Sequence, residues 1–250
     1  MSPRGRITRA ITRVLVVAEM DGRNLLRRHV TLLLLLILPL VFYFSARANG
    51  LKAIPLENGT VGMAFATSGI AYFATAGSRD VDIRLVLCGY PPALLLAGRL
   101  LLLNGIATAI AGIFTVIMVV GSHPANSSLE LLLAVLLTAA VAIALGLTVG
   151  TTIPNEMEGI LTLIAVVGVQ LSLSRTSALG ELLPFWGPRQ LADHAQYGGA
   201  LLWPVVHCVL YGAALLTGAL LTWRLRMRPR HYPPPELQRS PTTTAATPRR

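Results

Sequence analysis

Six long runs of uncharged, mostly apolar residues constrain the fold of this chain more than any other feature. The runs are residues 30–46, 60–76, 100–121, 131–152, 159–174 and 201–223, and none of them contains Asp, Glu, Lys or Arg. An α-helix needs about 20 mostly apolar residues to cross the hydrocarbon core of a bilayer. The sequence therefore predicts an all-α, polytopic integral membrane protein with six transmembrane helices.

The distribution of arginine and lysine predicts the orientation of these spans. With the amino end inside, the inside segments hold 17 Lys and Arg residues and the outside segments hold 4. Cationic residues near span ends are retained on the cytoplasmic side, so both termini are predicted to be cytoplasmic and the protein to lie in the plasma membrane. The net charge of +10 then reflects topology and affinity for the lipid bilayer, and no nucleic-acid partner is needed.

The predicted transmembrane domain, residues 30–223, lies between two different flanking segments. Residues 1–29 are predicted to include an interfacial amphipathic helix, because one face is apolar and the opposite face is basic. An ordinary soluble amphipathic helix is the alternative. The tail, residues 224–250, is rich in Pro, Thr and Arg and is predicted to be disordered beyond an initial basic collar. The apolar face contains Ile7, Ile11, Val14, Leu15, Ala18 and Leu25, and the basic face contains Arg9, Arg13, Arg23 and Arg27.

The inside segment between the second and third spans has an unusual composition. It opens with four charged residues, Arg79, Asp80, Asp82 and Arg84, and ends at Arg99. Pro91 and Pro92 are expected to start the third helix, with Arg99 snorkelling back to the interface. The charged start favours a surface that meets a partner in the cytoplasm, and a solvated loop that only joins two spans is the alternative.

Several kinds of machinery are not found in the sequence. A P-loop needs a lysine after a glycine-rich turn, and the only lysine is Lys52, which is predicted to lie outside the cell. Ion-coupled carriers usually keep an Asp, Glu, His or Arg inside the membrane, whereas His207 is the only such residue in these runs and is interpreted as a packing residue. We expect no enzyme activity, no metal site and no cofactor in this chain.

Two further patterns concern helix packing and the last outside segment. Ala142, Gly146 and Gly150 place small residues every four positions along the fourth span, which lets another helix approach closely, either within the chain or in a second copy. Residues 175–200 follow a short span and are partly apolar. They are interpreted as an outer re-entrant loop, with a surface loop carrying interfacial aromatics as the alternative. The residues of this loop are Leu183, Pro184, Phe185, Trp186 and Pro188.

Taken together, these features resemble the permease subunits of type-2 ATP-binding-cassette (ABC) transporters, which are mostly exporters. Similar elements are the helix before the first span, the segment "RNLLRRHVTLLLLLILPLVFYF", and "LLPFWGP" before the last span. The loop after the second span is similar in the order of Arg79, Asp80, Asp82, Leu85, Leu87, Gly89, Pro91, Gly98 and Arg99. It departs from the family at "VDIRLVL", where a Gly-Thr-Leu-Glu step is usual.

The resemblance implies a permease subunit of an ATP-driven exporter that assembles as a homodimer or heterodimer. A separate P-loop ATP-binding subunit would then hold ATP and Mg. A non-transport membrane protein, such as an assembly or immunity factor, and an ion-coupled carrier are the alternatives. By analogy the ATPase-coupling surface contains Arg79, Asp80, Asp82, Arg84, Leu85, Gly89, Tyr90 and Pro91, with Glu156 and Glu158 as a second contact.

Overall fold

The computed structural model describes residues 3–48, 54–122, 128–173 and 178–227. Within these ranges the chain forms ten α-helices and no strand. Lys52 and the predicted disordered residues 228–250 lie outside the described residues, as do the side chains of residues 1–9. The helices are α1 Pro3–Leu26, α2 His29–Ala48, α3 Ile54–Ala76, α4 Arg79–Leu87, α5 Pro92–Ser122, α6 Ser128–Thr152, α7 Glu156–Ser172, α8 Ala178–Glu181, α9 Trp186–Tyr197 and α10 Leu202–Arg226.

Four of these helices, α2, α5, α6 and α10, are long and apolar enough to cross a membrane. The predicted all-helical class is therefore confirmed for the described residues, and these four helices indicate a membrane location. The other two predicted runs also form helices. α3 has 23 residues and includes several Gly, Ser and Thr, and α7 has 17 residues.

α3 and α6 form the centre of the bundle. A Cβ atom built on Gly146 of α6 would lie 2.2 Å from the carbonyl oxygen of Ser68, and one on Gly150 would lie 2.8 Å from the Cβ of Thr75. The two backbones therefore approach as closely as a small-residue stripe permits. The stripe containing Ala142, Gly146 and Gly150 faces α3 of the same chain, which is one of the two alternatives left by the sequence.

α1 lies against the first turns of α5 and uses only part of its apolar face there. Val17, Asp21 and Leu25 are buried at four-residue spacing, which places them on one side of a helix. Ile11 and Leu15 of the predicted apolar face remain exposed. The closest approach is at Gly98, where a Cβ would lie 2.7 Å from the Cβ of Val17, so only glycine fits this crossing.

Candidate functional site

Arg99 is the centre of a buried ion-pair cluster that joins three helices. The residue is 0% exposed, as is Asp82 of α4, and Asp21 of α1 is 2% exposed. The two terminal nitrogens of Arg99 each donate to one carboxylate oxygen of Asp82 at 3.1 Å, and Nε donates to Oδ2 of Asp21 at 2.9 Å. We call Asp21, Asp82 and Arg99 the Arg99 cluster. The expectation that Arg99 snorkels to the interface is wrong, because both carboxylates hold it inside the protein.

Apolar side chains cover one side of the Arg99 cluster. The indole ring of Trp223, on α10, lies 5.2 Å from the guanidinium carbon of Arg99. Trp223 packs with Val17, Leu95 and Leu96 in one small hydrophobic cluster. A buried charge is tolerated only when it is paired and hydrogen-bonded, so α1, α4 and α5 must be docked together for Arg99 to stay in this position.

Burial also changes the acidity of Asp82. Removal from water raises the pKa of this carboxyl above its usual range, and the neighbouring Arg99 offsets only part of that effect. Burial disfavours the charged form of a carboxyl group, whereas a nearby cation favours it. The carboxylate is therefore easier to protonate than an exposed aspartate.

Arg79, at the start of α4, connects this helix to the end of α6. Its guanidinium donates to the carbonyl oxygens of Gly150 and Pro154, both at 2.7 Å, and to that of Ile153. The last carbonyls of a helix have no partner within the helix, and a cation is favoured at this end of the helix dipole. Arg79 thus caps α6 and brings the two predicted coupling loops, around residues 79–91 and 154–159, next to each other.

The second loop is ordered by Asn155 and Tyr72. The side chain of Asn155 caps α7 by accepting from the backbone of Met157 at 3.2 Å. The Tyr72 hydroxyl donates to the carbonyl oxygen of Glu156 at 3.1 Å. Glu156 and Glu158 remain exposed in the first turn of α7, where negative charge is stabilised by the helix dipole.

The predicted coupling residues divide into an inward and an outward set. Asp82 is inside the protein, so its predicted accessible contact is corrected to an internal one. The Arg79 side chain caps the end of α6. Leu85 is half-buried, and the Tyr90 hydroxyl donates to the carbonyl oxygen of Arg13 at 2.7 Å. Pro91 is also half-buried, whereas Gly89 is exposed with a φ of 86°, in the region that favours glycine.

An accessible surface remains on α4. It combines charged and apolar side chains. Large exposed apolar side chains outside the membrane often mark a binding surface. We call this set the α4 surface: Asp80, Val81, Ile83, Arg84 and Leu87.

No protein-family model matches the chain, and no curated protein matches it significantly.

A second buried ion pair lies at the amino-terminal end of α3. Arg189 of α9 pairs with Glu57 in the first turn of α3, and it donates to the carbonyl oxygens of Gln170 and Leu173 at the end of α7. The side-chain oxygen of Gln170 accepts from the backbone of Phe185 at 3.3 Å. Arg189 therefore fixes α9 to α3 and α7 together.

The predicted outer re-entrant residues are packed into this end of the bundle. Pro184, Phe185, Trp186 and Pro188 are buried, and Leu183 is half-buried. The Trp186 ring lies 5.1 Å from the ring of His207, whose Nε2 is 2.9 Å from the carbonyl oxygen of Glu181. The segment is therefore part of the packed structure, and His207 has the hydrogen-bonded packing role that its position suggested.

Sequence reasoning missed three of the residues that hold these clusters together. Asp21 had a local signal, since it is an acid on the apolar side of α1. Glu57 and Arg189 have none, because they are 132 positions apart. Among the residues that the structure describes, no three His, Cys, Asp or Glu side chains come together as a metal site.

Proposed function

We propose that this chain is the membrane-spanning permease subunit of an ATP-driven ABC exporter, energised by a separate ATP-binding subunit. In this proposal it has six spans, with both termini and the Arg99 cluster on the cytoplasmic side of the plasma membrane. Two copies, or this chain and a related one, form the transmembrane pathway. The resemblance in sequence order supports the assignment, as does the excess of arginine at one end of the bundle.

α3 and α7 complete the six spans in this proposal. At about 1.5 Å per residue, a helix of 23 residues is roughly 34 Å long and one of 17 residues roughly 25 Å. The first length crosses a hydrocarbon core of about 30 Å, and the second falls short of it. The buried residues 184–185 and α9, which follows them, fill the remaining depth as a re-entrant element, where Arg189 satisfies the free carbonyls of α7.

The observation that carries the proposal is that α4 is accessible on one side and clamped to the bundle on the other. Its exposed side presents Ile83, Arg84 and Leu87. Its inner side is tied to α5 and α1 through Asp82 and Arg99, and its first residue is tied to the end of α6. A force on the α4 surface would therefore reach several helices at once, as a chain without its own ATPase requires.

The first test is co-purification with a P-loop ATP-binding subunit, to be sought in the reading frames that neighbour this one. Leu87 is 75% exposed, so replacing Ile83 and Leu87 together by arginine should abolish co-purification without disturbing the core. Elution of the variant as a single symmetric peak would show that it is folded. The matched control is Leu179→Arg, on α8 at the other end of the bundle, where the leucine is 63% exposed.

We expect the Leu179 variant to retain the subunit and the α4 variant to lose it together with ATP-dependent export. Retention of the subunit by the folded α4 variant would contradict the assignment of the α4 surface. If no ATP-binding subunit co-purifies with the unaltered chain, the permease proposal itself fails and a non-transport membrane protein is favoured.

A further inference from the structure

Asp21 has a carboxylate oxygen that the Arg99 cluster does not use. Oδ2 accepts from Arg99, but Oδ1 is buried and, in the described part of the chain, accepts no hydrogen bond. Asp21 also lines a cavity of about 50 Å³ between α1 and the end of α3. A buried acceptor without a partner is costly, so this oxygen is a place where a donor that enters the cavity, water or a side chain, would be stabilised.

The charge of the cluster also calls for a cationic donor. Within the cluster, Asp21 and Asp82 carry two negative charges against the single positive charge of Arg99, and all three side chains are almost completely buried. The half-buried Arg226 of α10 adds positive charge on the side of Asp82. A buried charge without its partner destabilises a protein strongly. Both oxygens of Asp82 already accept from Arg99, which leaves Oδ1 of Asp21 as the place for a second cation.

Arg28 lies at the rim of the same cavity and is only loosely held. It lines the cavity together with Asp21 and Asn24. Its guanidinium rests 5.8 Å from the ring of Phe73 and 3.7 Å from Glu156 of α7, which is too long for a direct hydrogen bond. Both members of this ion pair are partly exposed, and such pairs contribute little to stability.

We propose that Arg28 exchanges between two carboxylates, Glu156 at the start of α7 and the free oxygen of Asp21 on α1. In the outer position it links α1 to α7, and in the inner position it neutralises the Arg99 cluster. The exchange is a property of the chain alone. Its use rests on the proposed function: an ATP-binding subunit that engages Glu156 would release Arg28 to Asp21 and tighten the clamp on α4.

The exchange can be measured by thermal unfolding of the purified chain, without any partner. Arg28→Gln is compared in three backgrounds: unaltered, Glu156→Gln, and Glu156→Gln with Asp21→Asn. Without Glu156 the arginine has only Asp21, so Arg28→Gln should then lower the Tm by about 2–4 °C. With Asp21 also neutralised, the same change should shift the Tm by less than about 1 °C. Arg27→Gln, which removes a neighbouring exposed arginine, should be neutral in every background.

A second readout follows the position of Arg28 directly. Phenylglyoxal modifies accessible arginines, and mass spectrometry should find slower modification of Arg28 after Glu156→Gln and fast modification once Asp21→Asn is added. If the effect of Arg28→Gln disappears in the Glu156→Gln background, Asp21 is not its partner and the exchange is refuted. If the exchange holds but Arg28→Gln leaves ATP-driven export unchanged, only the coupling role fails.

Discussion

Replacing Arg99 by methionine should destabilise the protein more than any substitution on the α4 surface. Methionine fills a similar volume without charge, and it leaves Asp21 and Asp82 buried with no cation between them. Breaking a buried ion pair by removing one partner costs about 3–5 kcal/mol. For a chain of this size each kcal/mol lowers the Tm by about 2–4 °C, so Arg99→Met should lower it by about 6–20 °C.

The triple variant Asp21→Asn, Asp82→Asn, Arg99→Met separates charge from packing. Replacing a complete buried ionic group by neutral residues is often close to neutral in stability. We therefore expect the triple variant to recover most of the Tm that Arg99→Met loses. A purely steric role for Arg99 predicts no recovery.

The assay uses the two cysteines of the chain. Cys208 is buried and Cys88 is exposed, so in a Cys88→Ser background a thiol-reactive fluorescent dye reports unfolding through Cys208 alone. Arg84→Met is the matched control, since Arg84 is exposed on α4 and its loss should change the Tm by less than about 2 °C. A Tm for Arg99→Met within about 2 °C of the unaltered chain would refute the argument.

Two further predictions concern pH and helix packing. Because burial raises the pKa of Asp82 above the unfolded value of 3.8, its contribution to stability is present below that pH and is lost as pH rises through the folded-state pKa. A plot of Tm against pH should accordingly fall less steeply for Asp82→Asn than for the unaltered chain, while Asp80→Asn should keep the original slope; equal slopes for all three would contradict the shift. In the bundle, Gly146→Ala should lower stability by about 1–3 kcal/mol, since its Cβ would lie 2.2 Å from the Ser68 oxygen. Gly218→Ala, where a Cβ meets no atom within 4 Å, should be neutral or slightly stabilising, and unfolding curves that rank the two glycines the other way would refute this packing.

The helices of the bundle were predictable because apolar runs carry their own signal. α2, α5, α6 and α10 all overlap predicted runs, yet α5 begins at Pro92, eight residues before its run. A search for charge-free runs stops at Leu100 because Arg99 is charged. The two prolines predicted this helix start, and α5 does begin at Pro92, but the burial of Arg99 in the helix follows only when Asp21 and Asp82 are known to neutralise it.

The site was only partly predictable, because burial depends on partners that are distant in sequence. The loop before α5 was predicted to be a contact surface from its charges, but the sequence alone does not separate buried Asp82 from exposed Asp80 two residues earlier. Helical geometry separates them, since residues two apart lie on nearly opposite faces of a helix, and one face of α4 meets the bundle while the other meets the solvent. The ion pair of Glu57 with Arg189 leaves no local pattern at all.

The spacing of the two ion-pair clusters along the chain has a consequence for biosynthesis. Asp82 and Arg99 are 17 residues apart, whereas Glu57 and Arg189 are 132 apart. The ribosome adds about 5–20 residues per second. Arg99 is therefore made roughly 1–3 s after Asp82, whereas Arg189 is made roughly 7–26 s after Glu57. The arginine end of the bundle can therefore neutralise its charge while α5 is being inserted. The α9 end can close only after Arg189 has been made.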